Sequence, residues 1–157
     1  MKLTSHEEYG LRCLVRLGFA GEGGSLTIPE ISAAEGVSSA YVAKLMRMLR
    51  QADFVKSARG KAGGYTLARP ADQIVISDVV GVLGGRFFEP EFCTHHSGQK
   101  PVCANTVDCS VRSLWKALQL VIDQVLSQTT LQDLVRNEQD MNSWVKSLPG
   151  SSLSLIQ

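Results

Sequence analysis

A chain of 157 residues with 44% hydrophobic and 20% charged residues has the apolar material for one folded domain plus a small arm, which excludes a disordered chain. Lys2, Glu7, Glu8, Arg12 and Arg16 interrupt the first stretch, and no run reaches the ~18 apolar residues of a membrane span, so neither signal peptide nor membrane helix is expected and the chain reads as cytoplasmic. The net charge of +1 hides a division: residues 1–69 hold ten Lys/Arg against six Asp/Glu (+4) and residues 70–157 six against nine (−3), a basic half suited to nucleic acid joined to a mildly acidic one.

In chain order, Thr4 with Glu7 three residues on is a capping box, opening a helix to about Phe19 with Leu11, Leu14, Val15 and Gly18 on one face. Gly21 to Gly24 ends it. Thr27 and Glu30 repeat the box, Pro29 sits in a first turn that does not need its missing N–H, and Gly36 stops this second, short helix. Ser38 or Ser39 then caps a third helix to about Ala52. Its Val42, Leu45, Met46 and Leu49 form a core-facing stripe, and Ala40, Lys44, Arg47 and Gln51 lie opposite. A helix that hides aliphatics and shows small and basic groups can lie in the major groove of DNA.

Two strand candidates follow, Val55 to Ala58 and Tyr65 to Ala68, around the glycine-rich, cationic tip Arg59-Gly60-Lys61-Ala62-Gly63-Gly64. Helix, turn, helix and basic hairpin are the order of a winged helix-turn-helix. Ile76 to Leu83 reads as a short helix that starts near Ser77 or Asp78 and stops at Gly84-Gly85. From Arg86 to Asp108 the periodicity dissolves, and a loop this long in a compact chain is usually functional. Ser110 then caps a long amphipathic helix to about Ser127, striped by Leu114, Leu118, Val121, Ile122 and Val125. The N-terminal part cannot cover that stripe, so pairing with a second copy is expected. Thr130 and Asp133 open a last helix with Leu131, Leu134 and Val135, and residues 149–157 read as a flexible tail.

The resulting architecture is mainly α with a small β-hairpin. It divides into a winged helix-turn-helix DNA-binding domain (1–70), a connecting helix (71–85), a cysteine-bearing loop (86–109) and long C-terminal dimerisation helices (110–148).

Cys93, Cys103 and Cys109, with nine and five residues between them, are thiols that Gly98 and Pro101 allow to converge. In a reducing compartment such a group points to metal or redox chemistry. Thiolates are the preferred ligands of iron–sulfur clusters, a tetrahedral zinc with His95 or His96 is the rival, and a disulfide switch or plain reduced thiols are the others. Spacing does not choose iron over zinc. Cys13, mid-helix among apolar neighbours, reads as core. No His-Glu pair on a helix and no Ser/His/Asp set stands out, so an enzyme is not expected.

The segments Met1 to Thr4, Tyr9 to Arg12 and Ile28 to Ile31, the run Val37 to Leu49 and the wing Arg59 to Leu67 resemble the Rrf2 family of bacterial winged-helix regulators over about residues 1–135, as does the three-cysteine loop. The resemblance implies a homodimer joined through the long helix and, in cysteine-bearing members, a 4Fe–4S or 2Fe–2S cluster. It assigns Cys93, Cys103 and Cys109 as cluster ligands, which tips iron over zinc. IscR-like members place a histidine three positions after the last cysteine, where this chain has Arg112, a permanent cation that cannot ligate. NsrR-like members use a carboxylate just before the aromatic residue of the first helix, given by the partner subunit. Glu8 before Tyr9 matches it, with His95 and His96 as competitors and a helix-dipole role as the plainer alternative. The first cysteine gap is longer than is usual in the family.

The function expected is a DNA-binding regulator, in the sense of a repressor, switched by a cluster that senses nitric oxide, iron, redox or cluster status. The alternative is a cluster-free regulator sensing a small molecule or an oxidant through bare thiols. A homodimer would read a near-palindromic duplex in successive major grooves about 34–36 Å apart. Ser39, Tyr41, Lys44 and Arg47 are the expected contacts of the third helix, and Arg59, Lys61, Gly63 and Gly64 those of the wing.

Overall fold

The computed structural model describes residues 3–58, 63–89 and 91–147. The wing tip with Arg59 and Lys61, and the tail 149–157, lie outside the described residues.

Helix α1 (Ser5–Phe19) opens on the expected capping box, with the Thr4 N–H donating to the Glu7 carboxylate at 2.7 Å while the Thr4 side chain accepts the Glu7 N–H. Helix α2 (Ile28–Glu35) repeats the device with Thr27 and Glu30 and ends on Gly36 in the left-handed conformation, φ 66°. Helix α3 (Ser39–Gln51) is capped by Ser38, which accepts the Tyr41 N–H at 3.3 Å; the register leaves Ser39 as the first helical residue.

All four residues of the α3 stripe, Val42, Leu45, Met46 and Leu49, are fully buried. The buried face of α1 is broader than expected and turned from the Leu11–Val15 line. Cys13, Leu14 and Leu17 are its centre, Glu7 and Gly10 are also buried, and Leu11 and Val15 pack at the edge. The reason is that α1 is met from several sides. Gly10 seats the Leu83 side chain and Gly18 that of Val135, so two later elements press on it through glycines.

After α3 the chain reverses at Asp53, the one non-glycine residue with positive φ (58°) among those described. Strand β1 (Val55–Ala58) pairs antiparallel with β2 (Gly64–Leu67) in the register Val55 to Leu67 and Ala58 to Gly64. The second strand starts one residue earlier than expected because Gly64 pairs with Ala58, and Tyr65 also bridges to Leu26, N–H to carbonyl in both directions at 2.8 and 3.0 Å. This bridge ties the hairpin to the α1–α2 connection.

A single 3-10 turn (Ala71–Gln73) leads to α4 (Ile76–Leu83), whose N-cap is Val75 and whose Ile76 N–H donates to the Thr129 carbonyl at 2.9 Å. The segment expected to be irregular contains a one-turn helix, α5 (Phe92–His95). Helix α6 (Ser110–Ser127) begins one residue earlier than expected, with Cys109 in place of Ser110 as its N-cap. The box of Thr130 and Asp133 opens α7 (Leu131–Leu134), which stops after one turn, and α8 (Glu138–Ser147) follows as a separate helix. Leu131 is fully buried, and its N–H donates to the Ile74 carbonyl at 2.8 Å, so the end of α6 is stitched to the entry of α4.

The core collects α1, α3, α4, the base of the hairpin and Leu131. Leu114, Leu118 and Val121 of α6, by contrast, are 54%, 41% and 59% exposed. Among the described residues no helix is long and apolar enough to cross a membrane.

Candidate nucleic-acid interface and cysteine loop

Burying the α3 stripe leaves Ser39, Ala40, Lys44, Arg47 and Gln51 exposed on the opposite side, the arrangement a groove-reading helix needs. Tyr41 is half-buried, with its ring 5.8 Å from that of His6 and edge-on to Tyr9 at 6.0 Å. The start of α3 is thus braced on α1 by three rings. Gly63 and Gly64 are half-buried where the wing returns. A Cβ at Gly64 would lie 2.6 Å from the Leu26 carbonyl oxygen, so a packed backbone requires glycine there as well as any approach to DNA.

The three loop cysteines are free and half-buried, unlike Cys13, whose thiol is pushed up to about 11 chiefly by burial, with Glu35 adding to the shift and Arg12 opposing it. Cys93 sits in α5, Cys103 in the loop and Cys109 at the mouth of α6, where its Sγ accepts the Arg112 N–H at 3.3 Å. The Arg112 guanidinium donates to the Thr106 carbonyl at 3.1 Å and holds down the end of the loop. His96 lies flat on Phe92, centroids 4.0 Å apart, with its Nδ1 2.8 Å from the Phe92 carbonyl; His95 is exposed. In kind the donors suit an iron–sulfur cluster: three thiols on one loop, none in a disulfide. In arrangement, no three or more His, Cys, Asp or Glu among the described residues are gathered closely enough within one chain to hold a metal ion.

Residues 3–137 match the sequence model of the family described as Rrf2, iron-dependent transcriptional regulator. The chain belongs to the Rrf2 family. It is 34% identical to protein rrf2 of Nitratidesulfovibrio vulgaris over 137 residues, 87% of this chain and 89% of that one. CymR, the global cysteine regulator of B. subtilis, superposes with a TM-score of 0.70 at 30% identity, covering 86% of this chain and 96% of that chain. IscR of T. potens does so with 0.69 at 26% identity, covering 98% and 96%. The protein is therefore a winged-helix transcriptional regulator and not an enzyme.

One cluster of this Rrf2 chain was not foreseen. Glu35 at the end of α2 has a side chain only 3% exposed, and its carboxylate receives the Nε–H groups of both Arg12, at 2.6 Å, and Arg16. Burial alone would raise the Glu35 carboxyl, but the hydrogen bonds from Arg16 and Arg12 outweigh it and hold it below the ordinary range. The same contact is the main reason the Arg12 guanidinium is held more firmly protonated. Arg12 also covers the Tyr9 ring, 5.4 Å from its centroid, and reaches Glu8 at 3.7 Å. The Glu8 side chain is 56% exposed on the surface of α1. A helix-terminal glutamate gives no sequence signal for such burial; only the packing of α1 on α2 creates it.

Proposed function

We propose that this Rrf2 protein is a homodimeric repressor whose hold on DNA is set by an iron–sulfur cluster on the loop before its long helix. The observation that carries the reading is the loop itself: three free, half-buried thiols on a segment that ends as the N-cap of α6. Cys93, Cys103 and Cys109 of one protomer would hold the cluster, with the partner subunit's Glu8 as fourth ligand. When bound, the cluster supplies a tie among three cysteines that oxidants, nitric oxide or iron loss can break.

The protein's own parts do the rest. The exposed Leu114, Leu118 and Val121 of α6 supply an apolar face for the second copy. Ser39, Tyr41, Lys44 and Arg47 would meet base edges and phosphates, with Arg59 and Lys61 on the wing at the minor groove and Gly63 and Gly64 letting the backbone come close. Because Cys109 is both thiol donor and helix cap, a change in the loop reaches the first turn of α6, and through α6 the spacing of the two α3 helices.

A second reading has its own support. The described residues of one chain hold no gathered metal site, and the fold superposes well on a global cysteine regulator, so bare thiols that respond to oxidant or a cysteine-like signal are the alternative. Duplexes selected from a random pool by the protein decide between the readings. Affinity should change sharply on exposure to a nitric oxide donor or to air, and the Cys103→Ala variant should be blind to both. A response that persists in iron-free protein treated with a thiol oxidant supports the alternative, and no response to any of these removes both.

A further inference from the structure

Among the described residues of α6, a helix rich in leucine and valine, the one that is buried is Gln119. An amide is costly there unless both of its ends are satisfied. They are: Oε1 accepts the Phe88 backbone N–H at 2.7 Å and Nε2 donates to Asp123 Oδ1 at 2.8 Å. The other oxygen of Asp123 takes the Arg86 guanidinium, and one turn earlier Trp115 meets Phe87 edge-on at 6.1 Å. Three consecutive residues at the entry to the cysteine loop, Arg86, Phe87 and Phe88, are therefore fastened to three residues four apart on one face of α6, Trp115, Gln119 and Asp123.

The fastening continues toward the thiols. Phe88 packs on Phe92 at 5.3 Å, Phe92 stacks on His96, and Cys93 follows Phe92 in the same turn. At the far end the loop returns to the same helix at Cys109. The Arg86–Asp123 pair is half-exposed and of little value alone. The buried amide is what fixes the loop in one register, because it recognises a backbone N–H and not an apolar shape.

We infer that Gln119 is the positioning residue through which the state of the cysteine loop reaches the middle of α6, on the flank turned away from the exposed Leu114, Leu118 and Val121 stripe. The inference rests on the reading that the loop thiols sense a signal, and it adds a second point of transmission to the helix cap. A loop that rearranges around its thiols drops or shifts the Phe88–Gln119 bond, and losing that anchor lets α6 turn or slide as a body, which moves the stripe on its opposite face.

The test compares wild type, Gln119→Met and the double variant Gln119→Glu with Asp123→Asn, in which one carboxylate accepts from both Phe88 and the new amide. Each protein is titrated with a selected duplex before and after any bound metal is stripped with a chelator and the freed loop thiols are alkylated with iodoacetamide, since metal-held thiolates resist alkylation. Cys13, read by mass spectrometry, should stay unmodified and so report an intact core. The ratio of the two affinities in wild type should fall about tenfold toward unity in Gln119→Met, the factor that one buried hydrogen bond of about 1.4 kcal/mol is worth. The double variant should recover it, and unalkylated affinity should stay within about twofold throughout. An unchanged ratio in Gln119→Met, or no recovery in the double variant, overturns the role of Gln119 alone. A wild-type affinity indifferent to alkylation removes the sensing reading and this inference with it.

Discussion

The Nε–H of Arg12 on the first helix donates to the carboxylate of Glu35 on the second at 2.6 Å, and Arg16 donates to its other oxygen. Glu35 ionises below its ordinary 4.5 in the fold, so the stability it contributes is complete above that value and is lost as the pH falls through the lowered one. Glu35→Gln should cost about 1–2 kcal/mol at pH 7, measured by urea denaturation, and that difference from wild type should shrink below about pH 4.5. A constant difference down to pH 3 would show that the ion pairs contribute nothing.

Lys44 and Arg47 stand exposed on the face of α3 opposite the buried stripe. Replacing either with alanine should weaken duplex binding and lower the slope of log affinity against log salt by about 1, the mark of a lost phosphate contact. Arg47→Ala should in addition relax preference among duplex sequences if its guanidinium reads a base edge. Fluorescence anisotropy over a salt series reads both; an unchanged slope in both variants would take these cations out of the interface.

Gly64 and Gly36 are constrained for different reasons. A Cβ at Gly64 meets the Leu26 carbonyl oxygen at 2.6 Å, whereas Gly36 has open space around it and a φ of 66°. Gly64→Ala must displace a backbone strand and should cost about 1–3 kcal/mol, against about 1 kcal/mol for Gly36→Ala. Denaturation midpoints in reverse order would mean that the bridge between the hairpin and Leu26 is weaker than its geometry implies.

Much of this was legible in the sequence where the cause is local. The pairs Thr4 with Glu7 and Thr27 with Glu30 cap the helices they mark, and the 3–4 spacing of Val42, Leu45, Met46 and Leu49 places α3 correctly. Two of the misses are long-range and one, the cap of α6, is local. Gly10 and Gly18 seat side chains from Leu83 and Val135, which turns the buried face of α1 toward Cys13 and Leu17. Cys109 displaces Ser110 as the cap of α6 because its own Sγ accepts the Arg112 N–H. Gln119 looks like a solvent-facing residue until the Phe88 N–H is brought to it across 31 residues.

The exposed stripe of α6 gives a further expectation. Leu118→Asp with Val121→Asp places two charges on an apolar face and should convert a dimer into a monomer by light scattering, with duplex affinity falling at least tenfold as one half-site is lost. A dimer of unchanged mass would move the pairing surface elsewhere.

The iron and acid-labile sulfide content of the full-length protein, purified without oxygen, bears most directly on the three cysteines. Coloured protein containing both elements, which Cys93→Ala, Cys103→Ala and Cys109→Ala each lose while the thiol of Cys13 stays buried, is the expected result. Colourless protein without iron or sulfide that still binds its selected duplex tightly would contradict the cluster and leave a regulator working through bare thiols.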